Sequence, residues 1–437
     1  MTTRRSFLVG GGAAIAGTTL LGATARCRPD DERAKPAAFD PKSWDSVRAQ
    51  FALKPGLRHL TAFVLAAHPA PVRAAVERHR RGLDEDTFGY LHDNQGGLEA
   101  EVRASAGRYL SAEPGEIAFT DSTTMGLGTV YGGLKLRTGD DLLTTEHDFY
   151  STHESLRLAA ARSGARVRRV RLYDDPAKAD PDAMVDALRR AVTPKTRAVA
   201  VTWVHSGTGV KLPIRRIADT LAGLGRARAD RPLLCVDAVH GLASNEVSVR
   251  ELGCDVFISG CHKWLFGPRG TGLIWAHREA WERIAETIPT FESDGSAALG
   301  GEADGTRMVP GPRMTPGGYH SFEHRWALAE AFEFHQQIGQ KRVAERTAAL
   351  ATQLKDGLAH LGHVRLSTPR APEVSAGIVC FTVQGMEPFD VVRRLASEHN
   401  VVASTTPYLP SLVRFGPSIV NSEGDVDAAV KAVASLA

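Results

Sequence analysis

The chain has 437 residues, with 53 lysines and arginines against 50 aspartates and glutamates, a net charge of +3 and 43% hydrophobic residues. Those are ordinary soluble-protein proportions, and the interleaving of acids and bases argues against a nucleic-acid binder; with no repeats or long low-complexity tracts, coiled-coil, collagen-like and disordered classes are excluded. At roughly 150 residues per domain the length loosely suggests about three domains, and a chain this long needs no disulfide or metal staple.

The first residues read as an address. Arg4 and Arg5 precede Ser6-Phe7-Leu8 and a Gly/Ala-rich apolar run to about Ala23, the pattern of a twin-arginine export signal. That run is too short and too weakly apolar to span a membrane. Ala23-Thr24-Ala25 offers a small-x-small cleavage site, and Arg26 spoils Cys27 as a lipidation site. Residues 1–25 are therefore expected to engage the twin-arginine translocase and be removed, leaving a periplasmic or secreted protein without stable membrane insertion. The alternative is a plain arginine-flanked tail. Twin-arginine export carries folded proteins, which suits an enzyme that loads a cofactor first.

From residue 116 onward strands and helices alternate. Strands are predicted at 116–120, 141–145, 166–172, 197–204, 232–238, 255–259 and 272–276, with helices at 123–136, 150–163, 182–191 and 213–224. Continuous Val/Leu/Ile runs between amphipathic helices mean a mainly parallel sheet covered on both faces. The segment 291–318 is Gly/Pro-rich and reads as a loop crossing an interface. A long helical stretch, 321–361, then leads into a β-α-β tail (377–383, 388–399, 412–415), a second and smaller α+β domain. Cys235 and Cys380 sit in apolar strands, and no CxxC occurs among the five cysteines. His320 and His324 lack the glutamate or cysteine of a metal site, so no metal is expected.

Ligands in open α/β sheets bind beyond the carboxyl ends of the strands. There the chain places Asp121-Ser122-Thr123-Thr124, Thr145-Glu146-His147, His205-Ser206-Gly207-Thr208-Gly209, Asp237 with His240, and Cys261-His262-Lys263-Trp264 before a glycine loop. Ser122–Thr124 at a helix start suit a phosphate, although a plain helix cap uses the same residues. Lys263, flanked by His, Trp and Leu, is placed to be desolvated and so to offer the free amine that forms a Schiff base. Asp237, closing a buried strand, needs a cation, and a pyridinium nitrogen is one. A structural Lys263–Asp237 ion pair is the plainer alternative. No G-x-G-x-x-G follows the first strand, which speaks against a nicotinamide dehydrogenase.

The run from Ser259 through Lys263 to Gly272 closely resembles the lysine motif of class V aminotransferases, fold-type I pyridoxal 5'-phosphate enzymes that include isopenicillin-N-epimerase-like proteins and cysteine desulfurases. The resemblance extends through Ser122–Thr124, Thr145-Glu146-His147, Ser206–Gly209, Asp237–His240 and Val413-Arg414 to Asn421. It implies an α/β fold: a large cofactor domain (61–310) with a mainly parallel seven-stranded sheet, a smaller C-terminal α+β domain (311–437), and a segment 26–60 packing on the latter. It also implies roles. Lys263 would carry the cofactor and move the Cα proton, Asp237 would pair with the pyridine nitrogen, and His147 would stack on the ring. His240 and Ser206 would approach the phenolic oxygen. Ser122, Thr123, Thr124 and His262 would hold the phosphate, with Thr315 reaching a partner's phosphate across a homodimer interface. Arg414 would clamp the substrate carboxylate, and Tyr90 would touch substrate, against a plainer reading as a core or interface aromatic. Cysteine desulfurases carry a nucleophilic cysteine shortly before that arginine; residues 402–410 here contain none. The implied activity is transamination of a small-molecule or peptide-borne amine, for instance in a secreted peptide metabolite. The alternatives are epimerisation with the same cofactor and an exported, non-catalytic binding protein.

Overall fold

Seven strands, five of them buried along their whole length, build the central sheet. The computed structural model describes residues 39–437 apart from 226, 228–229 and 293–308. The expected export signal and Cys27 lie outside the described residues. The chain runs through α1 (Trp44–Ala49), β1 (Arg58–His59), α2 (Ala70–Glu85) and α3 (Thr87–Leu110), then β2 (Ile117–Thr120), α4 (Thr123–Gly133), β3 (Asp141–Thr145), α5 (Tyr150–Ser163) and β4 (Arg166–Val170). Next come α6 (Pro181–Ala191), β5 (Thr196–Thr202), α7 (Ile214–Ala222), β6 (Leu233–Asp237), α8 (Val249–Leu252), β7 (Val256–Gly260), β8 (Gly272–Ala276) and α9 (Arg278–Trp281).

The sheet order is β2-β8-β7-β6-β5-β3-β4, with only β8 reversed. Strands bury Leu, Ile and Val on both faces because helices cover both. α7 shows how: Ile214, Ile217, Ala218 and Leu221 recur at helical spacing and face the core. β4 is the exception, an edge strand whose Arg166 and Arg169 are exposed, which blunts edge-to-edge pairing. The connection direction reverses between β3 and β5, so a crevice opens at the carboxyl ends of these strands and of β6 and β7.

The predicted continuous helix 321–361 is broken. After α10 (Pro310–Met314) come α11 (Phe322–Trp326), α12 (Leu328–Ile338) and α13 (Gln340–Ala359), with Gly339 at φ 95° separating the last two. The predicted loop 291–318 thus contains α10. α10 lies on β2, where a Cβ on Gly311 would meet the Ile117 carbonyl at 2.3 Å. Leu328, Ala331 and Phe332 join the large-sheet core beside Tyr109 and Trp264. Residues 311–338, expected to open the smaller domain, therefore pack on the larger one.

The smaller sheet forms from β9 (Val364–Leu366), β10 (Val379–Val383), β12 (Ser404–Thr405) and β13 (Val413–Phe415), ordered β12-β13-β10-β9 and antiparallel. β11 (Val401–Val402) pairs with β1 instead. α13, α14 (Pro388–His399) and α15 (Glu423–Ala434) cover one face, where Phe381, Val383, Val413 and Phe415 meet Leu354 and Val426. The N-terminal segment packs on both parts: Val47 and Phe51 meet Phe266, Phe334 and Ile419, and Arg342 lies 4.2 Å over the Trp44 ring. No helix among the described residues is long and apolar enough to cross a membrane.

Candidate active site

The crevice is walled by the ends of β5, β6 and β7, the start of α4, and residues brought in by the smaller sheet. Ser122 caps α4, its hydroxyl accepting from the Met125 N–H at 3.1 Å, so the first amides of the helix are left for an anion. Thr123 Oγ1 accepts from the Gly260 N–H at 2.8 Å, locking α4 to the end of β7. A Cβ on Gly260 would lie 2.9 Å from the His262 ring and 3.0 Å from Thr123 Oγ1, so either side chain would have to move. Thr124 Oγ1 meets Ser151 Oγ at 3.0 Å.

Asp237 ends β6, fully buried, with one oxygen accepting from the Val239 N–H at 3.1 Å. Burial raises its pKa; the Val239 N–H and the Lys263 ammonium oppose that rise. Lys263 follows β7, and burial holds its ammonium down to about 8, against an opposing pull from Asp237 and with help from Arg414. A lowered amine pKa puts free base within reach near neutrality. Cofactor uptake by the apoprotein is therefore expected to accelerate as pH rises through about 8 and to plateau above it, rather than climbing toward the 10.5 of ordinary lysine. Stopped-flow visible absorbance after adding pyridoxal phosphate across pH checks this.

His240 is buried and held neutral, chiefly by burial and then by the charges of Lys263 and Arg414. Its Nδ1 accepts from Trp264 Nε1 at 3.4 Å. Arg414 reaches in from β13: it donates to the Ser206 carbonyl at 2.9 Å and to Ser404 Oγ at 3.1 Å, and its guanidinium lies 4.6 Å over the Phe63 ring. Ser206 Oγ bonds the Tyr408 hydroxyl at 2.7 Å.

Ser122, Thr123, Thr124, Ser206, Asp237, His240, His262, Lys263 and Arg414 thus line one cavity. Three expected residues do not. His147 lies outside it, stacked on Tyr173 at 3.8 Å with its Nε2 accepting from the Leu172 N–H. Phe149 lines the cavity in its place, and Val239 walls it as well. Thr315 is buried within its own chain, donating to the Gly311 carbonyl and accepting from the Phe119 N–H, so its hydroxyl is not free to reach a partner. Tyr90 sits on α3, bonded to His79 at 3.0 Å and packed near Trp326.

Sequence reasoning missed Phe149, Val239, Ser151 and Thr202, all of which line the cavity. It also missed Asp148, which takes Thr144 Oγ1, the Thr145 N–H and the Thr202 N–H at 2.7 Å each, tying the ends of β3 and β5 together. Asp148→Ala would leave three buried donors unpaired. We expect a loss of about 3–5 kcal/mol in unfolding free energy, measured by urea denaturation.

The residues fit a phosphorylated pyridine. Thr202 Oγ1 and His262 Nδ1 are buried in the cavity wall without partners, beside the open amides of α4. Residues 92–427 match the aminotransferase class-V family model. The chain belongs to the class V aminotransferase family. Among its relatives, isopenicillin N epimerase of Streptomyces clavuligerus is 23% identical over 90% of this chain and 98% of its own. A cysteine desulfurase of Cronobacter sakazakii is 25% identical over 85% of this chain and 91% of its own. Among solved structures, a C-DES mutant with glycine covalently linked to the cofactor superposes with a TM-score of 0.79, at 22% identity over 89% of this chain and 98% of that one. The class V chain thus has the fold-type I architecture, and pyridoxal 5'-phosphate is its cofactor. Among the described residues no cluster of His, Cys, Asp or Glu could hold a metal. His320 Nε2 instead lies 3.5 Å from Glu99, and His324 Nδ1 lies 2.9 Å from the Arg269 carbonyl.

Proposed function

We propose that this class V enzyme transaminates an amino acid or amine, including one carried by a peptide. The carrying observation is the convergence of Lys263, Asp237, Arg414 and the α4 N-terminus on one cavity. When bound, the cofactor supplies an electron sink for the carbanion at the substrate Cα. Lys263 would hold it and move the Cα proton; Asp237 would face its ring nitrogen; Ser122, Thr123, Thr124 and His262 would hold its phosphate. Arg414 would orient the substrate by its carboxylate, fixing which bond at Cα is presented to Lys263.

A desulfurase route needs a reactive thiol, and the described cysteines, 235, 254, 261 and 380, are all buried with thiol pKa values pushed up by burial. This favours transfer over persulfide chemistry. Epimerisation is the second reading, supported by two isopenicillin N epimerases among the relatives. It requires a proton donor on each face of Cα; besides Lys263, the Tyr408 hydroxyl, bonded to Ser206 at 2.7 Å, would be the candidate.

The test is a visible spectrum of the holoenzyme with amino donors, without acceptor, in deuterated buffer. Bleaching of the visible band supports transamination. A stable band with deuterium at Cα supports epimerisation. A protein that stays colourless with added cofactor overturns both and revives a non-catalytic binding protein. Homodimerisation and twin-arginine export are parts of the same proposal. Phe88, Phe291 and Tyr319, exposed at 78%, 65% and 84%, supply aromatic surface for a second copy, and sedimentation tests it. N-terminal sequencing of the exported protein tests cleavage after Ala25.

A further inference from the structure

A second cavity has Tyr408 in its wall and does not include Lys263. Tyr408 is the partition: its hydroxyl bonds Ser206 in the first cavity, and its ring faces Phe149 edge-on at 6.1 Å. The ring also lies directly on the chain at Gly207, where a Cβ would come within 2.9 Å of it. The next residue, Leu409, is 89% exposed, so the segment that carries the partition is open to solvent at its tip.

The charges around this outer chamber are unequal in availability. Glu146 and Asp174 are both bridged by Arg171, at 2.7 and 3.3 Å, and Asp175 accepts from the Ala177 N–H. Arg365, by contrast, has no carboxylate partner among the described residues. It stands on β9 opposite Thr382 of β10, and Ser367 follows it along the chamber wall.

Register connects this arginine to the first site. Arg414 lies opposite Cys380, and Arg365 lies opposite Thr382, so all four residues share one face of the smaller sheet. At Cys380 that face meets the large domain, since Cys380 belongs to the large-sheet core while Phe381 packs under the helices; Arg365, on the edge strand β9, stands exposed at its rim. Two strand spacings across and two residues along put the two arginine Cα atoms about 12 Å apart.

We propose that the outer chamber is a distal subsite for an anionic group, with Arg365 as its cation and Thr382 and Ser367 as hydroxyl donors. The substrate is then an amino acid whose side chain or peptide extension is longer than that of glutamate and ends in a carboxylate. Its α-carboxylate sits at Arg414, and its arm passes the Ser206–Tyr408 pair to Arg365. This rests on the amino-acid reading above and adds a second recognition point that sets substrate length.

The experiment is calorimetric titration of the coloured holoenzyme with α,ω-dicarboxylates of about six to ten carbons and with monocarboxylates of equal length. The dicarboxylates of matching span are expected to bind about tenfold or more tightly than their monocarboxylate counterparts. In Arg365→Gln that ratio is expected to fall to about one, while Arg414→Gln weakens both series. Equal affinities in the wild type, a ratio surviving in Arg365→Gln, or no dicarboxylate binding overturns the subsite. In a coloured enzyme that bleaches with amino donors, each of those results leaves the aminotransferase reading standing. A colourless protein overturns both.

Discussion

Replacing Lys263 with alanine is expected to reduce turnover by at least about a thousandfold, since on the proposed roles both the covalent anchor and the mobile base are lost. The fold should tolerate it. The backbone around residue 263 is fixed by other groups: the Cys261 N–H donates to the Thr271 carbonyl at 2.9 Å, and the Gly267 N–H to the Cys261 carbonyl at 2.9 Å. Trp264 next to it is buried against the large core. The lost side chain is one whose charge burial already disfavours, so its removal should leave the thermal midpoint close to wild type. Lys263→Arg should not rescue, because a guanidinium does not deprotonate to serve as nucleophile or base. Single-turnover kinetics with a visible spectrum checks both variants. Retention of more than about a tenth of wild-type turnover in either would remove Lys263 from the chemistry.

The residues proposed to carry this chemistry are legible in the sequence because each sits where the chain changes type. Asp237 closes an apolar run, Lys263 precedes a glycine loop, and Ser122 opens a helix. Hydrophobic continuity placed β3, β6, β7 and β8 within about a residue of their observed limits. What escaped was decided by side chains far apart in sequence. The apolar run continues to Val204, two residues past the end of β5, and so masks Thr202 as the strand-end residue in register with Asp237. His147 and Phe149 flank Asp148 in one turn. Asp148 turns inward to collect donors from β3 and β5, and Phe149 rather than His147 then reaches the cavity. Nothing local in Thr145-Glu146-His147 signals that choice. Thr315 and Tyr90 are likewise placed by partners elsewhere in the chain, their hydroxyls bonded to the Phe119 N–H and to His79, 196 and 11 residues away; for Tyr90 this matches the plainer reading as a core aromatic.

Asp237→Asn should show what the carboxylate contributes apart from its shape. Asparagine keeps the volume, and its carbonyl can still accept from the Val239 N–H that Asp237 now engages at 3.1 Å. What disappears is the negative charge at the end of β6, and that has two separable consequences. The first is on turnover, which is expected to fall by about 10²–10⁴-fold, the range for a group that sets the protonation of a reacting system. The second is on Lys263, whose ammonium Asp237 supports against desolvation. With that support gone, burial and the positive field of Arg414 act unopposed, and the amine pKa should drop further. The pH at which cofactor uptake is half-maximal is therefore expected to move below the wild-type value of about 8. An aspartate whose role was only to hold the strand end would leave turnover near wild type in the asparagine variant. Turnover within tenfold of wild type would assign Asp237 to the fold, and an unshifted uptake profile would remove its coupling to Lys263 and leave the cavity without its anionic pole.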